Sequence, residues 1–203
     1  MKKILFLFAF LSISLTSFSQ VRFGVKAGLN LANQKISGSG IDLSTKNTVG
    51  FNIGGVVEIP IANSFFFQPG VSFSTKGFKY EETILGTTTK LKSSLNYLDI
   101  PLNLMYKIRA TEKIGVLVLA GPNLGLGLSG KYDDGTDKTD VKFGSAEDDD
   151  LKALDFGLNF GAGVELGKIQ ITAQYGLGLS NLSTQTDASA KNNVLSFNVA
   201  YFF

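Results

Sequence analysis

The 203-residue sequence has no cysteine, no histidine and no tryptophan, and only 4 prolines. The missing cysteines exclude disulfides, thiolate nucleophiles and a lipid-bearing N-terminal cysteine. The missing histidines remove the usual general base at neutral pH, and the two absences together remove the usual zinc ligands. Enzymatic chemistry is therefore disfavoured, and no catalytic residue, cofactor or metal is expected. A basic excess is missing as well: 19 Lys+Arg stand against 17 Asp+Glu, and Lys2 and Lys3 belong to a segment argued below to be removed. Nucleic-acid binding depends on cations that neutralise phosphates, so no nucleic-acid partner is expected. What the chain does have is 44% hydrophobic residues, 23 Gly and 17 Phe, in a length suited to one domain.

Lys2 and Lys3 form a basic n-region, residues 4–11 are an unbroken apolar stretch, and Ser17-Phe18-Ser19 puts small residues at both positions of an A-x-A-like cleavage site. Residues 1–19 are thus expected to be a cleaved secretory signal peptide, and residues 20–203 the exported domain. A retained transmembrane helix needs about 18 or more consecutive apolar residues, and Ser12, Ser14, Thr16 and Ser17 interrupt this run.

From Val21 onward, apolar residues recur at every second position, the period of a strand. The pattern opens with Val21, Phe23 and Val25 and restarts at Phe51, Phe65, Leu98, Ile114, Leu154, Ile169 and Leu195, giving eight strands. The apolar face carries no charge in any of them. The other face carries Arg22, Lys26, Glu58, Lys76, Asp99, Lys107, Asp155 and Glu165. Alternation alone does not say which face is buried, but length does. Crossing an apolar band about 25 Å tall takes roughly 9 to 11 tilted residues, against about 5 or 6 for an ordinary soluble strand. These runs reach the longer value. The expected fold is all-β, an eight-stranded antiparallel up-and-down transmembrane β-barrel with its charged face inward. Because unpaired interior charge is costly, the four cations and four carboxylates are expected to form a structural lumen network.

The connections alternate in length. Residues 34–48, 80–91, 131–152 and 183–193 read as long loops; residues 62–64, 109–113 and Gly167-Lys168 read as tight turns. Outer-membrane barrels place tight turns on the periplasmic rim and long loops outside the cell. An even strand count then puts both termini in the periplasm. Phe23, Phe65, Phe67, Tyr106, Tyr201 and Phe203 suit a periplasmic aromatic girdle, and Phe51, Phe73 and Phe156 the outer one. The implied location is the bacterial outer membrane, with its lipid as the surrounding partner.

The opening Phe23-Gly24-Val25-Lys26-Ala27-Gly28-Leu29-Asn30, the stretch Tyr97-Leu98-Asp99-Ile100-Pro101-Leu102, Ala120-Gly121-Pro122 and the strand ending in Phe203 together resemble the PorT-like outer-membrane β-barrel family. The resemblance spans the exported chain and implies an eight-stranded barrel and no reaction. It also implies that the terminal Phe203 is the signal read by the barrel-insertion machinery, and it brings a link to protein secretion.

Two motifs invite sharper readings. Gly125-Leu126-Gly127-Leu128-Ser129-Gly130 matches G-x-G-x-x-G, but a dinucleotide site needs a helix to follow, and a turn follows instead. Inward glycines that relieve crowding are the better explanation. Asp133, Asp134, Asp137, Asp140, Glu147, Asp148, Asp149 and Asp150 could ligate a hard cation but lack EF-hand order, and such a block is expected to be a solvated loop. Asp99 and Asp155 could also serve as an acid/base pair. An eight-stranded barrel is filled by its own side chains, which favours a non-enzymatic protein presenting loops to an extracellular or envelope protein, in an envelope-structural, adhesion or secretion-associated role. The alternatives are a narrow porin-like channel, helped by inward glycines such as Gly54, Gly121 and Gly176, and an outer-membrane lipid enzyme.

Overall fold

The protein is seen here in a computed structural model, which describes residues 21–203 except 39, 40, 44, 85, 86, 112, 145, 147, 148 and 186. The signal-peptide reading of residues 1–19 lies outside the described residues, as do Glu147 and Asp148. The strands are β1 (Arg22–Gly38), β2 (Ile41–Leu43), β3 (Thr48–Ala62), β4 (Phe65–Lys76), β5 (Lys79–Ile84) and β6 (Thr87–Arg109), followed by β7 (Ile114–Asp133), β8 (Lys138–Asp140), β9 (Leu154–Leu166), β10 (Ile169–Gly178) and β11 (Ala188–Phe202).

Eight of these close into a ring. The order β1-β3-β4-β6-β7-β9-β10-β11 returns to β1, whose Gly24 to Gly38 lie opposite Phe202 to Ala188 of β11 in unbroken antiparallel register. Closure leaves no edge strand, the condition for placing a sheet in hydrocarbon, where an unpaired backbone group finds no water. The short β2, β5 and β8 are hairpin partners that continue the wall beyond the ring.

The face assignment holds strand by strand. Phe23, Leu29, Ile53, Ile108, Val118, Leu154 and Val199 are exposed, whereas Asn30, Asn52, Glu58, Asp99, Asn103, Lys107 and Asp155 are buried. In water this arrangement would be unstable; in lipid it is the low-energy one, because the apolar band faces acyl chains and the polar residues face each other. Short turns at Asn63-Ser64, at Ala110-Thr111 before Ile114 and at Gly167-Lys168 share one rim with both described chain ends. Gly167 occupies the left-handed region at φ 62°, which the tight β9–β10 turn requires.

Two expectations need correction. The four long connections are not simple loops: β1 runs on to Gly38, β5 and β6 form a hairpin through 80–91, β8 folds back on β7 within 131–152, and β11 begins at Ala188. Their backbone groups find ladder partners, which free loop would leave to water. The lumen is also not uniformly polar. Phe66, Met105, Leu117 and Leu119 form one buried cluster inside it, and Val56, Ala200 and Phe202 another.

Candidate functional site: a lumen closed at both ends

The eight inward charges do not form one network. At the short-turn end, four of them close a ring. The Arg22 Nη2 contacts Glu58 at 2.5 Å and Glu165 at 2.7 Å, and the Lys107 Nζ contacts the same two carboxylates at 2.6 and 2.5 Å. Each cation thereby touches both anions, and the ring is neutral. Its surroundings are apolar: the Arg22 guanidinium lies 4.7 Å from the Phe202 ring centre and the Lys107 ammonium 4.6 Å from that of Phe66. With the Phe66, Met105, Leu117 and Leu119 cluster, it forms a floor across the lumen.

Farther along, Lys76 bridges Asp99 at 2.8 Å and Asp155 at 3.2 Å. Asn123 donates to Asp99 at 3.3 Å and Asn192 to Asp155 at 2.9 Å, and the Lys76 ammonium sits 4.5 Å from the Tyr97 ring centre. This trio carries one excess negative charge. Lys26 lines the same polar cavity without an ion pair among the described residues. Because one lysine holds both Asp99 and Asp155, they are not placed as an acid/base pair working on a substrate.

Between the two clusters runs an amide belt. Asn52 donates to Asn30 and to Asn198, each at 2.9 Å, and Asn30 donates to Ser74 at 3.0 Å. It ties β3 to its neighbour β1 and, over Gly28, to β11 along the inner wall. Sequence reading missed this belt, although inward asparagines on successive polar positions were its signal.

The far mouth is covered by part of the segment expected to be a solvated acidic loop: residues 134–140 and Asp150 are exposed, but the apolar residues among them turn inward. Val141 and Leu151 are buried with Leu95, Tyr97, Leu182 and Ala190, and Phe143 packs edge-on against Tyr97 at 5.6 Å. Backbone hydrogen bonds from Val141 to Gly130 and from Lys152 to Leu182 fasten it. The acidic side chains are spent on turns: Asp134 accepts from the amides of Asp137 at 2.7 Å and Thr136 at 2.8 Å, and Asp150 accepts from that of Lys142 at 2.8 Å. Those two amides hold the Asp134 carboxyl below its usual value. Among the described residues no group of three or more metal-ligating side chains converges.

The G-x-G-x-x-G glycines acquire a concrete role here. A Cβ on Gly125 would lie 2.9 Å from an Asp99 oxygen, one on Gly127 within 2.9 Å of three Phe143 ring atoms, and one on Gly130 2.7 Å from Leu95. They make room for the trio and the cover. By contrast, Gly54 and Gly121 press against the backbone of the neighbouring strand, so they serve close strand approach rather than a wider lumen.

The profile of the outer membrane protein β-barrel domain matches residues 14–184, which is most of the chain. The chain belongs to this family. No curated protein matches the sequence. Among solved structures, Neisserial surface protein A is 18% identical over 89% of this chain and 97% of its own, with a TM-score of 0.47. OprG from Pseudomonas aeruginosa is 12% identical over 90% and 95%, with a TM-score of 0.45. Ail, the attachment invasion locus protein of Yersinia pestis, solved with the heparin analogue sucrose octasulfate, is 17% identical over 89% and 99%, with a TM-score of 0.40. The family match places this barrel in the bacterial outer membrane.

Proposed function

We propose that this chain is a non-enzymatic outer-membrane scaffold that presents its strand extensions and connections at 34–48, 80–91, 131–152 and 183–193 to an envelope or extracellular protein. The observation that carries this reading is the double closure of the lumen, by the Arg22–Glu58–Lys107–Glu165 ring with its apolar floor and by the Phe143 cover. A barrel closed at both ends is equipped to hold surface elements rigidly rather than to conduct. The motifs quoted above ally it with the PorT-like branch, with residues 1–19 as the cleaved export signal and Phe203 as the insertion signal. Phe203 is exposed and its amide donates to the Phe23 carbonyl at 2.9 Å, which leaves the aromatic side chain accessible beside the seam strand. The short-turn rim, with both termini, is assigned to the periplasm.

The competing channel reading draws on the polar cavity around Lys26. One set of measurements separates the two. In planar lipid bilayers the purified barrel is expected to give no steady ion conductance, while epitope tags within 34–48 and 131–152 label on intact cells and a tag at Gly167 does not. Sustained conductance would transfer the case to the channel, and labelling at Gly167 alone would invert the sidedness.

A further inference from the structure

The outer wall beyond the apolar band carries lysines that face one another. Lys46 and Lys79 exchange backbone hydrogen bonds at 2.6 and 2.9 Å, Lys79 stands opposite Lys92, Lys92 opposite Asp133, and Asp133 opposite Lys138. Residues directly opposite in antiparallel strands send their side chains to the same face, so this is one row with four lysines and a single aspartate. Asp133 is taken by Lys138 at 3.4 Å, and Lys46 shares Glu81 with Lys90, both at 3.4 Å. Lys79 and Lys92 have no ion pair among the described residues. The arrangement recurs on the other side of the ring, where Lys35 of β1 lies opposite Lys191 of β11. Like charges set directly opposite destabilise a sheet unless a counter-charge is supplied.

The height of the row indicates the source of that counter-charge. On β6, Lys90 and Lys92 share parity with Leu98, Ile100 and Leu102, so they face outward, while Ser93 and Phe78 behind them are buried. Directly below, Phe73, Leu98 and Leu126 are successive cross-strand neighbours on the lipid-facing wall. Six residues from Leu98 to Lys92 span about 20 Å of strand, which a tilt of about 40° turns into about 15 Å of height. That is beyond acyl chains and level with charged headgroups, toward which lysine side chains bend.

We infer that Lys79 and Lys92 form a binding site for the phosphate groups of an anionic glycolipid of the outer leaflet, whose acyl chains lie on the wall of Phe73, Leu98 and Leu126. The inference rests on the sidedness proposed above, but its test does not depend on it. The full-length mature barrel is reconstituted in phosphatidylcholine nanodiscs and titrated with lipopolysaccharide. Lys79→Gln/Lys92→Gln is expected to bind about thirtyfold more weakly than wild type, the effect of two lysines at an anionic surface. Lys79→Arg/Lys92→Arg restores binding, and Lys113→Gln/Lys168→Gln on the opposite rim leaves it unchanged. Heat-modifiable gel migration confirms that each variant is folded. Equal affinity for dephosphorylated lipopolysaccharide, or an equal loss in the opposite-rim variant, would overturn the site. Inositol hexakisphosphate binding as tightly as the glycolipid would overturn the lipid assignment in favour of a soluble phosphate. Tags exposed on the wrong face of the cell, with binding intact, would instead indict the sidedness alone.

Discussion

Within the apolar band, β6 and β11 point Leu98, Leu102, Phe197 and Val199 outward and keep Asp99, Asn103 and Asn198 inside; a few residues farther along the same strands the order reverses. There Leu95, Tyr97 and Ala190 are buried inside, and Lys92 and Lys191 point outward. One continuous wall thus obeys two opposite burial rules. The rule is set by the solvent outside it: hydrocarbon below, water above. The point of reversal marks the membrane boundary from the chain's own chemistry. On β6 and β7 it coincides with the register shift at Asn96/Tyr97, where β7 gains a residue and its parity switches so that Gly130 follows Gly127 to the inside. A bulge is the economical device for such a switch, since one extra residue exchanges the faces of everything beyond it.

The comparison breaks most visibly at the dry end of the band. Lys107→Met removes the fully buried cation of the ring, leaving the equally buried Glu58 and the partly exposed Glu165 to share Arg22. A loss of about 3–5 kcal/mol is expected for breaking such a pair from one side, measured by reversible urea unfolding in lipid vesicles. A loss under about 1 kcal/mol would mean that water reaches the ring, contrary to the apolar floor.

Next in size is the face test itself. Leu102→Arg, in the lipid-facing row, is expected to cost about 2–4 kcal/mol in the same assay. Its neighbour Asn103 is buried with an amide oxygen that has no hydrogen-bond partner among the described residues, so Asn103→Leu removes an unmet acceptor and is expected to be nearly neutral. Were Leu102→Arg nearly neutral and Asn103→Leu clearly stabilising, as for a lipid-facing Asn103, the inside-out assignment would fail.

Much of this architecture was legible in the sequence. Period-two alternation fixes which face a residue takes, and Glu58, Lys76, Asp99, Lys107 and Asp155 are buried on the face opposite the exposed apolar row. It says nothing about height, because height depends on pairing register between strands distant in sequence. That is why Arg22, Glu58, Lys107 and Glu165 separate from Lys76, Asp99 and Asp155, with Lys26 set apart, where sequence reading joined all eight. Other features left traces that alternation masks. Phe65-Phe66-Phe67 and Leu104-Met105-Tyr106 are apolar on both faces, which is how an interior floor registers in a membrane strand, and Leu95 and Tyr97 fall on the opposite parity from Leu98. The burial of Val141 and Leu151 had no local signal: each is flanked by an aspartate and a lysine, and only the tertiary contact with Tyr97 and Leu182 makes them core.

The smallest effect lies wholly in the region governed by water. Asp134 accepts hydrogen bonds from the amides of Asp137 and Thr136, and its carboxyl is held below the ordinary aspartate value as a result. A lowered folded-state pKa means that the carboxylate's contribution is fully present above the unfolded value and is lost as pH falls through the lowered one. Acidification is therefore expected to loosen the β7–β8 turn first, seen as faster hydrogen exchange at the Thr136 and Asp137 amides and as an Asp134 carboxyl resonance that titrates below the ordinary range. Asp134→Asn, which keeps an acceptor oxygen, retains most of the turn at neutral pH and removes the acid response there, whereas Asp134→Ala loses both. Neither substitution is expected to move the unfolding midpoint of the barrel, because the turn projects beyond the closed ring and its side chains are exposed. If acid loosened the turn and the ring together, the strand extensions would belong to the same cooperative unit as the membrane band, and the boundary drawn at the reversal of burial would separate two solvents without separating two stabilities.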